Sequence, residues 1–195
     1  SVTWTDVQYG AADSIWVAIA SGTSQAASSP DGTTWTSRTM SASANWTSVA
    51  YGNSRFVAVA SGGTATSYSD DGQSWVAGGA LPSSTTWSSV TFGNGVFVAA
   101  AVGNQTLAYS TDNCSTWTSV DISSLTYDDY RAVAYGKEIF VAVDGSANAG
   151  IYSTDNGLTW NETTIDPSGD STVYNWRHVE FGNGRFVAVS EDNLY

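Results

Sequence analysis

Positive charge is scarce in this chain. Five Arg and one Lys stand against fourteen Asp and four Glu, for a formal charge of −12 over 195 residues. Such a surface cannot neutralise a row of phosphates or settle on an anionic bilayer, which argues against nucleic acid and membrane partners. One Cys permits neither an internal disulfide nor a Cys-based metal site, and one His excludes a two-histidine zinc site. No metal or cofactor is expected. The strong helix formers are few, with five Leu, four Glu and one Lys. No apolar run approaches the roughly 18 residues of a spanning helix. The first residues carry neither a basic n-region nor an apolar h-region, so a signal peptide is expected to be absent or already removed.

The chain is rich in Val, Thr, Tyr, Phe, Trp, Gly and Ser, the vocabulary of strands and turns. Hydrophobic residues make up 42% and aromatics 13%, too much apolar matter for a disordered chain. The length fits one domain.

A repeat runs through the whole sequence. Trp4-Thr5-Asp6-Val7-Gln8-Tyr9-Gly10 returns at Trp46–Gly52, Trp87–Gly93, Tyr130–Gly136 and Trp176–Gly182, at spacings of 42, 41, 43 and 46 residues. Each copy is followed by a short turn and a second apolar run, such as Phe56-Val57-Ala58-Val59 after Gly52-Asn53-Ser54-Arg55. Asn-Gly turns at Asn94-Gly95 and Asn183-Gly184 between apolar runs predict hairpins. A third element occurs four times: Ser29-Pro30-Asp31-Gly32 ending at Trp35, Ser69-Asp70-Asp71-Gly72 ending at Trp75, and the longer versions Ser110–Trp117 and Ser153–Trp160. Asp and Ser accept backbone N–H bonds there and Gly takes a positive φ, so a tight turn is expected. Cys114 stands where the other copies have Gly, which predicts a strained or reshaped turn.

Each unit therefore contains four short strands, A to D, and about 42 residues with four antiparallel strands is the length of one propeller blade. The expected fold is all-β: a single domain over 1–195, a five-bladed β-propeller with repeats near 1–44, 45–86, 87–129, 130–175 and 176–195. The last blade is expected to be incomplete, because Leu194-Tyr195 aligns with Ile151-Tyr152 and no fifth turn follows.

The Ser-x-Asp-(x)-Gly-x-x-Trp element resembles the Asp-box, or bacterial neuraminidase repeat. That family includes sialidase-like propellers, photosystem II assembly-factor-like propellers, and secreted and phage tail-associated repeats. The resemblance implies the fold, and it implies that Asp31, Asp71, Asp112 and Asp155 are turn-formers rather than calcium ligands.

All nine Trp fall in repeat columns, which predicts packing between blades. A sialidase needs an arginine cluster and a Tyr/Glu nucleophile pair, and only Arg131 and Arg177 share the strand A column. Asp6 and Glu180 are a candidate carboxylate pair for glycoside hydrolysis. The expectation is nonetheless a non-enzymatic extracellular or virion-surface module that binds a glycan or a protein partner. Structural decoration of a phage tail or other particle, a glycoside hydrolase or sialidase relative, and a photosystem-assembly-like factor are the alternatives. The connections from D to A and from B to C vary between copies and should share one face, where binding loops belong. Tyr127 and Tyr174 are the Tyr residues outside any repeat column, and both sit in D–A connections. They predict a ligand site at the channel mouth with Arg131, Arg177, Trp176 and His178.

Overall fold

The computed structural model of the chain describes residues 2–167, 169 and 172–191. Among these residues there is no helix, and neighbouring strands pair antiparallel throughout, with one isolated parallel bridge between Thr39 and Ser74. Unit one comprises β1 (Thr3–Gly10), β2 (Ile15–Ser21), β3 (Thr23–Ser29) and the first part of β4 (Thr36–Gly52). Unit two takes the rest of β4 with β5 (Arg55–Ser61), β6 (Thr66–Ser69) and β7 (Val76–Ala77). Unit three is β8 (Thr86–Gly93), β9 (Val96–Val102), β10 (Thr106–Ser110) and β11 (Thr118–Asp121). Unit four is β12 (Tyr130–Gly136), β13 (Ile139–Asp144), β14 (Ala149–Ser153) and β15 (Asn161–Thr164). Unit five has β16 (Asn175–Gly182) and β17 (Arg185–Glu191); Leu194 and Tyr195 lie outside the described residues. The inner strands β1, β4, β8, β12 and β16 all line one central cavity, and the architecture is propeller-like.

One expected connection is corrected. Residues 36–45 are not a loop but part of β4, whose Ala44 pairs with Thr23 while Thr36–Thr39 pair with β3. Extended backbone continues from the outer strand of unit one into the inner strand of unit two, so the two units share one seven-stranded sheet.

The hairpins form as the turns predict. Both central residues of Asn53-Ser54, Asn94-Gly95, Lys137-Glu138 and Asn183-Gly184 have positive φ, the two-residue geometry that matches strand twist. The third element also closes as expected. Asp31 Oδ1 accepts from the amides of Thr33 and Thr34 at 2.8 and 2.7 Å, and Ser29 Oγ donates to the same carboxylate at 2.9 Å. Asp71, Asp112 and Asp155 repeat the pattern. Cys114 holds the glycine conformation with φ 70°, fully buried, its amide donating to Ser110 Oγ at 3.0 Å. The turn is kept rather than reshaped, and the strain of a side chain at that φ stays in it.

A bulge recurs at one place in every inner hairpin, after Trp4, Trp46, Trp87, Tyr130 and Trp176. The residue it frees reaches the next unit. Thr5 and Thr47 donate to the carbonyls of Trp46 and Trp87 at 2.9 Å, and Ser88 donates to that of Tyr130 at 2.6 Å. In units four and five the freed residues are Arg131 and Arg177.

Apolar packing follows the same direction. Val17 and Ile19 of unit one cluster with Trp46, Val49, Phe56 and Trp75 of unit two. Val57 and Val59 meet Trp87, Val90 and Phe97 of unit three, and Val98 and Ala100 meet Val133, Phe140 and Trp160 of unit four. The inner-strand glycines allow the closest approach: a Cβ on Gly52, Gly93 or Gly136 would fall 1.9, 2.0 or 2.1 Å from the ring of Phe92, Tyr135 or Phe181. The expectation that every Trp packs between blades fails in unit one. Trp4, Trp16 and Trp35 are exposed, because no sheet lies against that face among the described residues.

Candidate functional site

The variable connections do gather on one face. In units two and three a glycine amide ties the B–C connection to the following D–A connection, Gly62 to Thr85 and Gly103 to Asp128; Gly22 of unit one donates likewise to Ala44 within β4, and Gly145 of unit four donates back to Asp129 of the connection from unit three, all at 2.7–3.0 Å. Between units three and four these loops enclose a cleft of about 460 Å³. Tyr127, Thr126, Ser146, Asn148, Glu162 and Asp166 supply most of its polar wall.

The cleft is built by side chains that brace loops. The amide of Thr126 donates to Glu162 Oε1, which ties the unit-three connection to β15 of unit four. Asn148 braces the other side: its Oδ1 accepts from the Tyr174 amide at 2.8 Å and its Nδ2 donates to the Thr172 carbonyl at 2.5 Å. Beneath lies a departure from the repeat. Where units one to three pair Trp with Ala across the inner hairpin (Trp4–Ala20, Trp46–Ala60, Trp87–Ala101), unit four pairs Tyr130 with Asp144. Asp144 is fully buried and accepts from the amides of Asp129 and Ser146 at 2.9 and 2.8 Å and from Ser146 Oγ at 2.7 Å. It therefore fixes both loops that border the cleft. The Tyr130 hydroxyl is buried without a hydrogen-bond partner. Burial drives its pKa well above the usual phenol range, and the nearby carboxylates of Asp144, Glu162 and Asp128 push the same way.

The six residues expected to form one site fall in separate surroundings. Tyr127 lines the cleft, half-buried against the core of units three and four. Tyr174 stacks on Trp176 at 5.5 Å between centroids, and both belong to the core between units four and five. Arg131 is neutralised by Asp129, with Nη2 donating to Oδ2 at 2.7 Å, and it lies over Gly145. Arg177 donates to Glu191 at 2.6 Å. His178 faces the central cavity, its Nε2 3.7 Å from Glu180.

That cavity, of about 300 Å³, also receives Asp6 and Glu180. Burial raises the pKa of Asp6, against the lowering effect of the Val49 and Val7 amides that it accepts. Asp6 thus serves as a bridge between units one and two, the part played by Ser48 toward Val90 and by Ser89 toward Val133. Among the described residues no three His, Cys, Asp or Glu side chains converge closely enough to hold a metal ion.

Sequence reasoning passed over Asn148, Ser146, Glu162 and Asp144. Two of them carried a signal. Asp144 occupies a column of Ala in units one to three, and Glu162 stands where the others have Ser37, Ala77 and Ser119.

No family model matches the chain, and no curated protein does. Solved structures do. YCF48 bound to a D1 peptide is 16% identical, with a TM-score of 0.66 over 97% of this chain and 60% of its own. Virginiamycin B lyase from Staphylococcus aureus is 10% identical, with a TM-score of 0.79 over 96% of this chain and 62% of its own. YCF48 from Cyanidioschyzon merolae is 12% identical, with a TM-score of 0.68 over 94% and 62%. The chain thus spans about three fifths of the length of the structures it resembles. These matches correct the expectation that the chain is not an enzyme. A scaffold of this shape carries a lyase, so the lack of a familiar catalytic motif excludes nothing. At such identities the likeness shows the fold and assigns no activity: the chain is an all-β, propeller-like protein.

Proposed function

We propose that the chain is a recognition module whose loop face binds a neutral, hydroxyl-rich ligand, a glycan, in the cleft beside Tyr127. The lining of the cleft carries this reading. An aromatic ring stands among Thr, Ser, Asn and carboxylate groups, and such a wall suits the apolar face and hydroxyls of a sugar. Arg131 and Arg177 are already paired to carboxylates, so an anionic sugar finds no free cation from them. The turn elements fit the Asp-box pattern, and we assign the units to five blades of which the last is partial. The Ser- and Thr-rich, acidic composition suits an extracellular or virion-surface setting. A protein partner is the second reading, supported by the peptide bound to YCF48.

An oligosaccharide array, followed by calorimetric titration of the hits, tests the proposal. Tyr127→Ala and Asn148→Ala should each weaken binding at least about 10-fold, the loss of roughly 1.4 kcal/mol. Binding is read well below the melting temperature of either variant, because Tyr127 also packs against the core of units three and four and Asn148 also braces two loops. Tyr174→Ala should lower the melting temperature, because its ring packs on Trp176, and leave the affinity nearly unchanged, because the ring does not line the cleft. A blank array, or hits indifferent to Tyr127, would reject the glycan reading, and a peptide array would then test the second.

A further inference from the structure

Each inner strand carries a ring just before its bulge, and in units two and three the polar tip of that ring is paired. Trp46 Nε1 donates to the carbonyl of Ala42 and Trp87 Nε1 to that of Ser83, at 3.3 and 2.9 Å. Both acceptors lie four residues upstream, at the end of the incoming connection. Unit four has Tyr130 in this column, and the residue four upstream is Thr126. The Tyr130 hydroxyl makes no such bond. It is buried without a partner, on a side chain only 1% exposed. The Trp176 indole is unpaired as well, but there Asn148 Nδ2 already donates to the upstream carbonyl of Thr172. Tyr130 has no such competitor, and an unpaired buried hydroxyl weakens a fold.

The surroundings of this hydroxyl are those of the cleft. The column directs the ring toward Thr126, which lines the cleft with Tyr127 and Glu162. Burial, and then the charges of Asp144, Glu162 and Asp128, hold the Tyr130 pKa above the usual phenol range. The hydroxyl therefore keeps its proton and is a donor set among carboxylates. Those carboxylates are engaged elsewhere: Asp144 accepts from Asp129 and Ser146, and Glu162 Oε1 accepts from the Thr126 amide. The tie between Thr126 and Glu162 is the accessible one, since both residues are exposed while Asp144 is fully buried.

We infer that Tyr130 is a ligand-binding residue, its hydroxyl donating to one hydroxyl of a neutral sugar that inserts between Thr126 and Glu162. The inference rests on the glycan reading of the cleft. The sugar hydroxyl replaces the Thr126 amide on Glu162: it gives its own proton to the carboxylate and accepts from Tyr130. The released amide belongs to an exposed residue and turns to solvent, and the buried hydroxyl gains the partner it lacks. A hydroxyl suits this position because it gives one hydrogen bond and receives another. The ether oxygen of a methylated sugar has no proton for Glu162. A carboxylate or sulfate there brings negative charge toward Glu162, Asp128 and Asp144. The ligand class is thus a neutral glycan with an unsubstituted hydroxyl at the inserted position.

Calorimetric titration of the array hits and their monodeoxy derivatives, against the parent and Tyr130→Phe, tests this. Tyr130→Phe keeps the ring and removes the unpaired oxygen, so its melting temperature should equal or exceed the parent's. Its affinity for the hit should fall at least about 10-fold, because a ligand hydroxyl loses its buried donor. One monodeoxy derivative should bind the parent more weakly by at least the same factor, and the same deletion should cost Tyr130→Phe clearly less, since contacting groups couple. If Tyr130 only packs, Tyr130→Phe binds the hit as the parent does; that result overturns the inference and leaves the glycan reading standing. Deoxygenation that costs both proteins equally at every position overturns it in the same way. A lower melting temperature in Tyr130→Phe also overturns it, since the hydroxyl would then be paired before any ligand enters. A blank array rejects the glycan reading itself, and the inference falls with it.

Discussion

Two glycines in one repeat column should respond oppositely to the same added methyl group. In Gly52→Ala the new Cβ would sit 1.9, 2.0 and 2.5 Å from Cγ, Cδ1 and Cδ2 of Phe92. Non-bonded carbons rest at about 3.5–4.0 Å, so the ring has to retreat by roughly 1.5 Å. It cannot do so freely, because Phe97 lies 4.7 Å behind it between centroids and both belong to the core shared by units two and three. Overpacking of this kind costs about 1–3 kcal/mol, and the depth of the clash puts Gly52→Ala at the upper end, about 3 kcal/mol. For a chain of this length that is a fall of about 6–12 °C in melting temperature. Gly182→Ala adds the same methyl group where nothing lies within 4 Å. Its backbone φ is not in the left-handed region, so the loss of unfolded-state freedom should leave stability unchanged or raised by about 0.4–1 kcal/mol. Thermal unfolding followed by circular dichroism makes the comparison. Equal falls in the two variants would refute the reasoning, since they would mean that Gly182 is covered by a ring just as Gly52 is.

Acid should weaken the fold through the four turn aspartates. Thr34 and Thr33 amides hold the Asp31 carboxyl far below the ordinary range; burial pushes Asp71, Asp112 and Asp155 up, but the donors on each outweigh it. Groups with depressed values stabilise above the unfolded pKa of about 4 and lose that contribution as pH falls toward the folded value. The urea midpoint should therefore drop steadily below about pH 4, Asp6 alone among these groups acting in the opposite sense, and a midpoint that rises on acidification contradicts the account. Cys114→Gly should change stability by less than about 1 kcal/mol, because relief of the left-handed backbone offsets the lost burial of the thiol. Cys114→Ala keeps the strain and loses the Sγ contact with Thr66, so it should cost about 1–2 kcal/mol by urea unfolding.

The repeat makes most strands legible in the sequence, because period-two apolar runs and Asn-Gly turns report local backbone directly. β4 is hard to read from the sequence because its middle, Met40-Ser41-Ala42-Ser43-Ala44, alternates only Ser with Ala after Met40 and has neither β-branched nor aromatic residues: extended backbone there is held by the pairing of Ala44 with Thr23, a tertiary fact. The exposure of Trp4, Trp16 and Trp35 escaped for a similar reason. A column of identical residues predicts identical surroundings, and only the arrangement of sheets shows which unit has no neighbour. Within the candidate site, Tyr127 was visible as an aromatic outside the columns. The same argument applied to Tyr174 overlooked that a loop ring can pack on its own strand, here on Trp176. Asn148 has no column at all, since loop spacing carries no period. Its importance appears only when the amide of Tyr174 and the carbonyl of Thr172 are seen on either side of it.

The single strand from Thr36 to Gly52 also bears on how the molecule breathes. Unit three is entered and left through connections held by scattered backbone bonds, such as Gly62 to Thr85 and Gly103 to Asp128, and not by a continuous strand, so a swing of its sheet can be absorbed by rotation there. Units one and two have no such joint: the backbone that ends one sheet is already the innermost rung of the next. Freeing unit one therefore means stripping β4 from β3 up to Ala44, one residue before its pairing with β5 begins at Asn45. Amide protons along β2, β3 and β5 should consequently exchange with solvent as one cooperative block, while those of β10 and β11 open on a schedule of their own.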